Sequence, residues 1–266
     1  MFNLHRSSRI KPIAAIAAIH GLMRDPQDTG QVFRLTEALR GRSTRVMFKR
    51  FAAVPMGARI LREQRSLLAT LSDHAALAAL PPNSLGRRYL DFMTAEKLSA
   101  QGLVELASRN LRQLPGSDDA IRLYAARMRD MHDLYHVLTG YGRDELGEVC
   151  VLAFSYPQQR VRSFRVIAAL GTLNLWRVLR RAGIQAGSLF AVVREASRHG
   201  RQAAWLPGED LEAMLGEDLD LLRVRLNIAP PGRYRAFLAT LETRYGPLRG
   251  DFRQWARRMA LPRNRA

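Results

Sequence analysis

Apolar positions recur at helical spacing almost throughout the 266-residue chain, and strand-like alternation bounded by turn residues is scarce. The pattern predicts an all-α protein. Asp25-Pro26 offers a cap and a first-turn proline for a helix carrying Val32, Phe33, Leu35 and Leu39, with Gly41 as its stop. Asn83-Ser84 precedes Leu85, Tyr89, Phe92 and Met93, which fill one helix face. Ser117, Asp118 and Asp119 open a long helix whose stripe is Ile121, Tyr124, Ala125, Met128, Met131, His132, Tyr135 and Leu138, and whose end is set by Gly140 and Gly142. Asp144 caps a second helix through Glu148, Val149, Val151, Leu152 and Phe154 towards Pro157, so the two predict a tight antiparallel hairpin.

Further helices are predicted over Ser163–Ala182, over Ser188–His199 with Gly200 as stop, over Asp210–Leu226, and from near Arg233 after Pro230-Pro231. With no internal repeat and no long polar linker, the economical organisation is a single helical domain over 21–243. It is flanked by a basic amphipathic segment, 1–20, and a basic tail, 244–266. The apolar run Ile13 to Ile19 is short for a secretory signal, and no run reaches the roughly 18 residues that a membrane span needs.

Hydrophobic residues at 47% and charged residues at 25% fit a globular chain and exclude collagenous or low-complexity classes. The single cysteine, Cys150, excludes an internal disulfide, suits a reducing compartment and sits in an apolar stretch where a small buried side chain is expected. Charge changes the picture more. The net +18 is concentrated at the ends, +9 over residues 1–65 and +6 over 244–266, leaving +3 for the body. Basic ends on a nearly neutral body can attract anionic lipid or nucleic-acid phosphates. No nucleic-acid-binding motif accompanies them, so nucleic acid is not expected as a partner.

His132-Asp133-Leu134-Tyr135-His136 is the cluster that asks for chemistry. Two histidines four apart lie about one turn, ~5.4 Å, from one another along a helix and can share a metal ion. Asp133 can ligate or orient a histidine. His136 stands four residues before Gly140 and Glu148 four after Asp144, so the hairpin brings His132, Asp133, His136 and Glu148 together as potential ligands. Taken singly, each has a competing explanation: a hydrogen-bonded core histidine, or an acidic residue favoured at a helix N-terminus. Two histidines and a carboxylate describe the facial site of non-haem iron enzymes. His5, His20, His74 and His199 have no partner at ligand spacing and are expected at the surface or in caps. Arg127 and Arg129 lie within reach of an anionic head group near His132, against the alternative of a solvated face, and Tyr135 and Met131 are read as core before substrate contact.

The segment Met131–Glu148 resembles the Coq-four family of ubiquinone (coenzyme Q) biosynthesis proteins, whose signature is His-Asp-x-x-His followed after about eleven residues by Glu. Here Val137 to Gly147 fill that interval, within MHDLYHVLTGYGRDELGEVCVLAF. Further matches are DPQDT and VFRLTEAL, SLGRRYLDFM, WLPGEDLEAML and VRLNIAPPGRY, so the resemblance spans roughly residues 20–235. A class of His-Asp phosphohydrolases shares the adjacent pair but needs further ligands that His74 and His199 do not supply.

The resemblance implies a helical protein binding a divalent metal, zinc with iron as the alternative, through His132, Asp133, His136 and Glu148. It implies an apolar groove for a polyprenyl tail, with Phe164 and Trp176 of the Ser163–Ala182 helix joining Arg127, Arg129 and Tyr135 as candidate substrate contacts. It implies a metal-dependent enzyme that replaces the carboxyl at ring carbon one of a polyprenylated hydroxybenzoate with hydroxyl, or a prenyl-lipid scaffold without catalysis. Its expected partners are other ubiquinone-biosynthesis proteins, an anionic membrane surface and a second copy of the chain. Its expected place is the cytoplasm, peripheral on the inner face of a membrane, or the matrix side if mitochondrial.

Overall fold

The first described helix, α1 (Pro12–Arg24), is followed by α2 (Thr29–Leu39), α3 (Ser43–Ala53), α4 (Pro55–Glu63), α5 (Leu67–Ser72), α6 (His74–Ala78) and α7 (Leu85–Ala95). Then come α8 (Asp119–Thr139), α9 (Glu145–Gln159), α10 (Arg162–Arg181) and α11 (Leu189–Gln202). A 3-10 turn (Leu206–Gly208), α12 (Leu211–Met214), α13 (Leu219–Arg225), α14 (Gly232–Tyr245) and α15 (Phe252–Ala260) complete the order. The computed structural model describes residues 11–24, 29–39, 43–95, 119–248 and 252–260. Among them there is no strand, as the periodicity predicts. Asp25-Pro26, Gly41, and Ser117 with Asp118 lie outside the described residues, as does His5.

The helices gather into two compact units. One is built from the described residues within Thr44–Thr139 and Ala203–Ala229, the other from those within Ser8–Ser43, Gly140–Gln202 and Pro230–Ala266. In the first unit α8 is the hub, with α4, α5, α7 and α13 packed against it. Phe48 and Phe51 of α3 meet Tyr124 of α8 ring to ring at 5.8 and 5.1 Å. Caps follow the local chemistry: Ser66 accepts from the Ala69 amide at 3.2 Å and Asp73 from that of Ala76 at 3.0 Å, while Pro55 opens α4.

Two sequence expectations change in this unit. The helix expected over Asp210–Leu226 breaks into α12 and α13, because Asp218 caps a new start and accepts from Asp220 and Leu221 at 2.9 and 3.0 Å. The break frees backbone for the start of α7: Gly86 donates to Leu215 O, Leu85 to Glu217 O, and Leu219 to Asn83 O. Arg127, expected towards an anionic head group or solvent, is 1% exposed and gives both terminal nitrogens to Glu212 at 2.6 and 2.7 Å. Arg65 joins Glu212 at 3.3 Å and pairs with Asp210. The charge of Arg127 is met inside the unit because α12 delivers a carboxylate to α8 from 85 residues away, which local spacing does not reveal.

In the second unit α9 packs on α10 and α11, and α14 packs on α11. Gly200, expected to stop a helix, lies within α11: a Cβ there would collide with the carbonyl oxygen of Phe154, so glycine serves the close approach of α9 and α11. Gln158 reinforces that contact by donating to Gly200 O at 2.7 Å. Pro157 sits in the last turn of α9, and the helix ends three residues later at Arg160 in the left-handed region, φ 55°. His199, expected at the surface or in a cap, stands in the last turn of α11 but is buried beside Glu195, and burial lowers its pKa. Cys150 is fully buried as expected, and burial pushes its thiol up. On α1, Ala15 and Ala18 pack against Leu35 and Ala38 while Ile13 and Ile16 face solvent. Within the basic tail, α15 is an ordered helix with Phe252 and Trp255 buried.

Candidate metal centre

The C-terminal half of α8 carries His132, Asp133 and His136. Apolar side chains at Met131, Leu134, Tyr135 and Leu138 are fully buried and fix the rotation of the helix. His136 is turned inward with them, 1% exposed, and stacks on Phe92 of α7 at 5.5 Å between ring centroids. The His132 ring lies 5.0 Å from the His136 ring, edge to face. Asp133 Oδ1 is 3.3 Å from His132 Nδ1. The helix end is held by Arg223 of α13, which donates to the carbonyls of Val137 and Leu138, both at 2.9 Å, satisfying groups that a helix C-terminus leaves open. Gly140 then turns the chain with φ 73°.

Glu148 stands on the first turn of α9. Asp144 caps that turn, its Oδ1 accepting from Leu146 and Gly147 at 3.1 Å each, and its carbonyl accepting from Glu148 at 2.9 Å. Burial raises the Asp144 carboxyl against the opposing hydrogen bond from Tyr234 and the Gly147 and Leu146 amides. Arg143 Nε lies 3.8 Å from Glu148 Oε1. The Glu148 side chain is 34% exposed and that of His132 32%.

Among the described residues, the group of His, Cys, Asp and Glu side chains able to hold a metal ion is His132, His136 and Glu148, whose ligand atoms lie within 4.8 Å of one another. Two imidazoles and one carboxylate are a donor set that suits zinc or iron, so the residues present fit a divalent ion. Asp133, expected either to ligate or to orient a histidine, has its Oδ1 3.3 Å from His132 Nδ1, a position from which carboxylates orient metal-bound histidines.

The other expected contacts are dispersed. Arg129 is committed to Asp130 at 2.7 Å, and Asp130 is itself raised by burial. Tyr135 is fully buried. On α10, Phe164 is partly buried, and Trp176 lines a shallow cavity of about 320 Å³ with Arg177, Arg180 and Arg181. The Arg180 guanidinium lies 5.1 Å from the Trp176 ring. The apolar spacing of α7 places Tyr89 and Phe92 on one helix face without linking either to the histidine motif; Phe92 stacks on His136, and the Tyr89 phenol is raised by burial and then by the charges of Asp133 and Asp130. Both sit on α7, forty or more residues before the motif, so no local spacing marks them.

Comparison with known proteins agrees with the motif. The sequence profile described as "Coenzyme Q (ubiquinone) biosynthesis protein Coq4" matches residues 4–232. The chain is 31% identical over 186 residues to the mitochondrial ubiquinone biosynthesis protein COQ4 homolog of Rattus norvegicus, covering 70% of this chain and 65% of that protein. It is 27% identical to the Homo sapiens homolog over 225 residues, 83% of this chain and 79% of the other. The match thus spans just under two thirds of the rat relative. A crystal structure from Nostoc punctiforme, described as a candidate ubiquinone biosynthesis protein, superposes with a TM-score of 0.62 at 18% identity, over 83% of this chain and 99% of that one. That likeness concerns the fold.

Proposed function

Because the chain belongs to the Coq4 family of coenzyme Q (ubiquinone) biosynthesis proteins, we propose that it acts on a polyprenylated hydroxybenzoate at a divalent metal ion held by His132, His136 and Glu148. The reaction carried out or supported is replacement of the carboxyl at ring carbon one by hydroxyl. The observation that carries this reading is the two imidazoles and one carboxylate whose ligand atoms lie within 4.8 Å of one another.

A metal bound there supplies Lewis acidity towards a carboxylate or phenolate oxygen, and iron would add redox capacity. The chain's own residues do the rest. Asp133 Oδ1 lies 3.3 Å from His132 Nδ1, where it would accept that nitrogen's proton and so turn Nε2 towards the ion. Phe92 covers the face of His136 and excludes water there. Exchanging carboxyl for hydroxyl releases carbon dioxide and takes two electrons from the ring, so dioxygen or another oxidant must accompany the substrate.

In this reading the protein works beside other ubiquinone-biosynthesis proteins at an anionic membrane surface, on the inner face or, in a eukaryote, the matrix side. None of the described helices is long and apolar enough to cross a membrane.

The test is elemental analysis of untagged protein, comparing wild type with His136→Ala and Glu148→Gln, followed by mass spectrometry of product from the carboxylated precursor in zinc-loaded and iron-loaded protein. One equivalent of metal in wild type, reduced in both variants, with product formed only by loaded protein, is the expected result. Full turnover with zinc under iron exclusion removes the iron alternative. Prenyl-lipid binding without turnover in any metal form replaces the enzyme with a scaffold. Failure of wild type to bind added zinc or iron overturns the site.

A further inference from the structure

Glu148 is the ligand that reaches the candidate centre from a different helix, and the turn before it is constructed with unusual care. Tyr234, at the start of α14, is buried, with its ring edge-on to Tyr141 at 5.3 Å. Its hydroxyl accepts from the Gly142 amide at 3.0 Å and donates to Asp144 Oδ2. The other oxygen of Asp144 caps α9, and the Asp144 carbonyl receives the Glu148 amide. One phenol therefore grips the turn at two points, two and four residues after Gly140.

The glycines around it are required by this packing. A Cβ on Gly142 would stand 2.7 Å from Tyr234 Oη and 2.9 Å from Asp144 Oδ2, and one on Gly147 would collide with the Gly142 carbonyl. Gly142, Asp144, Gly147 and Tyr234 are thus in mutual close contact.

We propose that Tyr234 is a positioning residue for the metal centre: by holding the Gly142–Asp144 turn through its hydroxyl, it sets where Glu148 presents its carboxylate. This rests on the reading of Glu148 as a ligand. Asp144 provides the cap of α9; the phenol adds a tie from α14 to the turn at Gly142 and Asp144. Partners hydrogen-bonded directly to a metal ligand are typically worth on the order of 10- to 100-fold in metal affinity; Tyr234 acts one step further out, through Asp144, whose carbonyl receives the Glu148 amide, so the lower end of that range applies.

The experiment is cobalt(II) titration of full-length wild type, Tyr234→Phe, Gly142→Ala and Glu148→Gln, followed by visible absorption, with melting of the metal-free proteins in parallel. The absorption bands report the number and arrangement of ligands, which a purely structural tie would not alter. Tyr234→Phe should bind cobalt roughly tenfold more weakly, with bands shifted towards those of Glu148→Gln. Gly142→Ala, which crowds the same hydroxyl, should shift them likewise and decides the matter if Tyr234→Phe does not fold. Wild-type affinity and bands in either folded variant, whatever its melting temperature, overturn the positioning role while leaving the site standing. Equal cobalt binding by wild type and Glu148→Gln instead overturns the ligand reading itself.

Discussion

At the scale of single residues, the buried charges decide most. Arg127 has its terminal nitrogens on Glu212, and its Nε has no hydrogen-bond partner among the described residues. Glu212→Ala strands that buried cation, and an unpaired buried charge costs about 3–5 kcal/mol. Urea unfolding of the variant should show a loss of that order, and substituting Arg127→Met in the same background should recover part of it. His199 makes a different prediction. Burial holds its folded pKa below the ordinary imidazole value of about 6.5, so below that value the unfolded state binds more protons. Its contribution is therefore complete above 6.5 and is lost as pH falls towards the lowered folded pKa. Melting temperatures taken from neutral to acidic pH should fall less steeply in His199→Gln than in wild type. The histidine motif was legible at this scale because an i, i+4 pair is a local property. The burial of Arg127 was not, since its partner arrives from α12.

Elements were legible where the backbone signals are local. The opening of α9 at Asp144, the stop of α8 at Gly140 and the span of α10 follow from caps and apolar spacing. What escaped were the places where one element shapes another. Gly200 reads as a stop in isolation and proves to be a contact with Phe154; Asp218 reads as mid-helix and proves to be a cap tied to Asn83 Nδ2 at 2.9 Å. Asp218→Ala removes the cap and should lower the denaturant midpoint with an unchanged slope. Gly200→Ala should cost about 1–3 kcal/mol, the usual penalty of overpacking, and differential scanning calorimetry would register it as a lowered melting temperature.

For the whole molecule, charge and exposed apolar surface make one prediction together. The chain carries +18, and α1 presents Ile13 and Ile16 at 84 and 66% exposure. Basic residues near an anionic surface gain energy that salt screens, while inserted apolar side chains are little affected by salt. Wild-type protein should sediment with phosphatidylglycerol vesicles at low salt. Release should be partial in about 0.5 M salt, where the Debye length falls to roughly 4 Å, and more complete when Ile13→Asp and Ile16→Asp are added. Binding that ignores both changes would remove α1 as the contact.

The sequence by itself determined the helical class, the caps that start and stop the principal helices, and the residue types able to hold a metal, because all of these depend on neighbours within a few positions. Tertiary structure decided which charges are spent inside the protein, where glycines serve close approach, and which distant residues complete the motif. Phe92 against His136, Asp130 and Asp133 near Tyr89, and Tyr234 on the Asp144 turn all join residues separated by roughly forty to ninety positions. Such pairings are set by how helices pack, and no spacing rule along the chain encodes them.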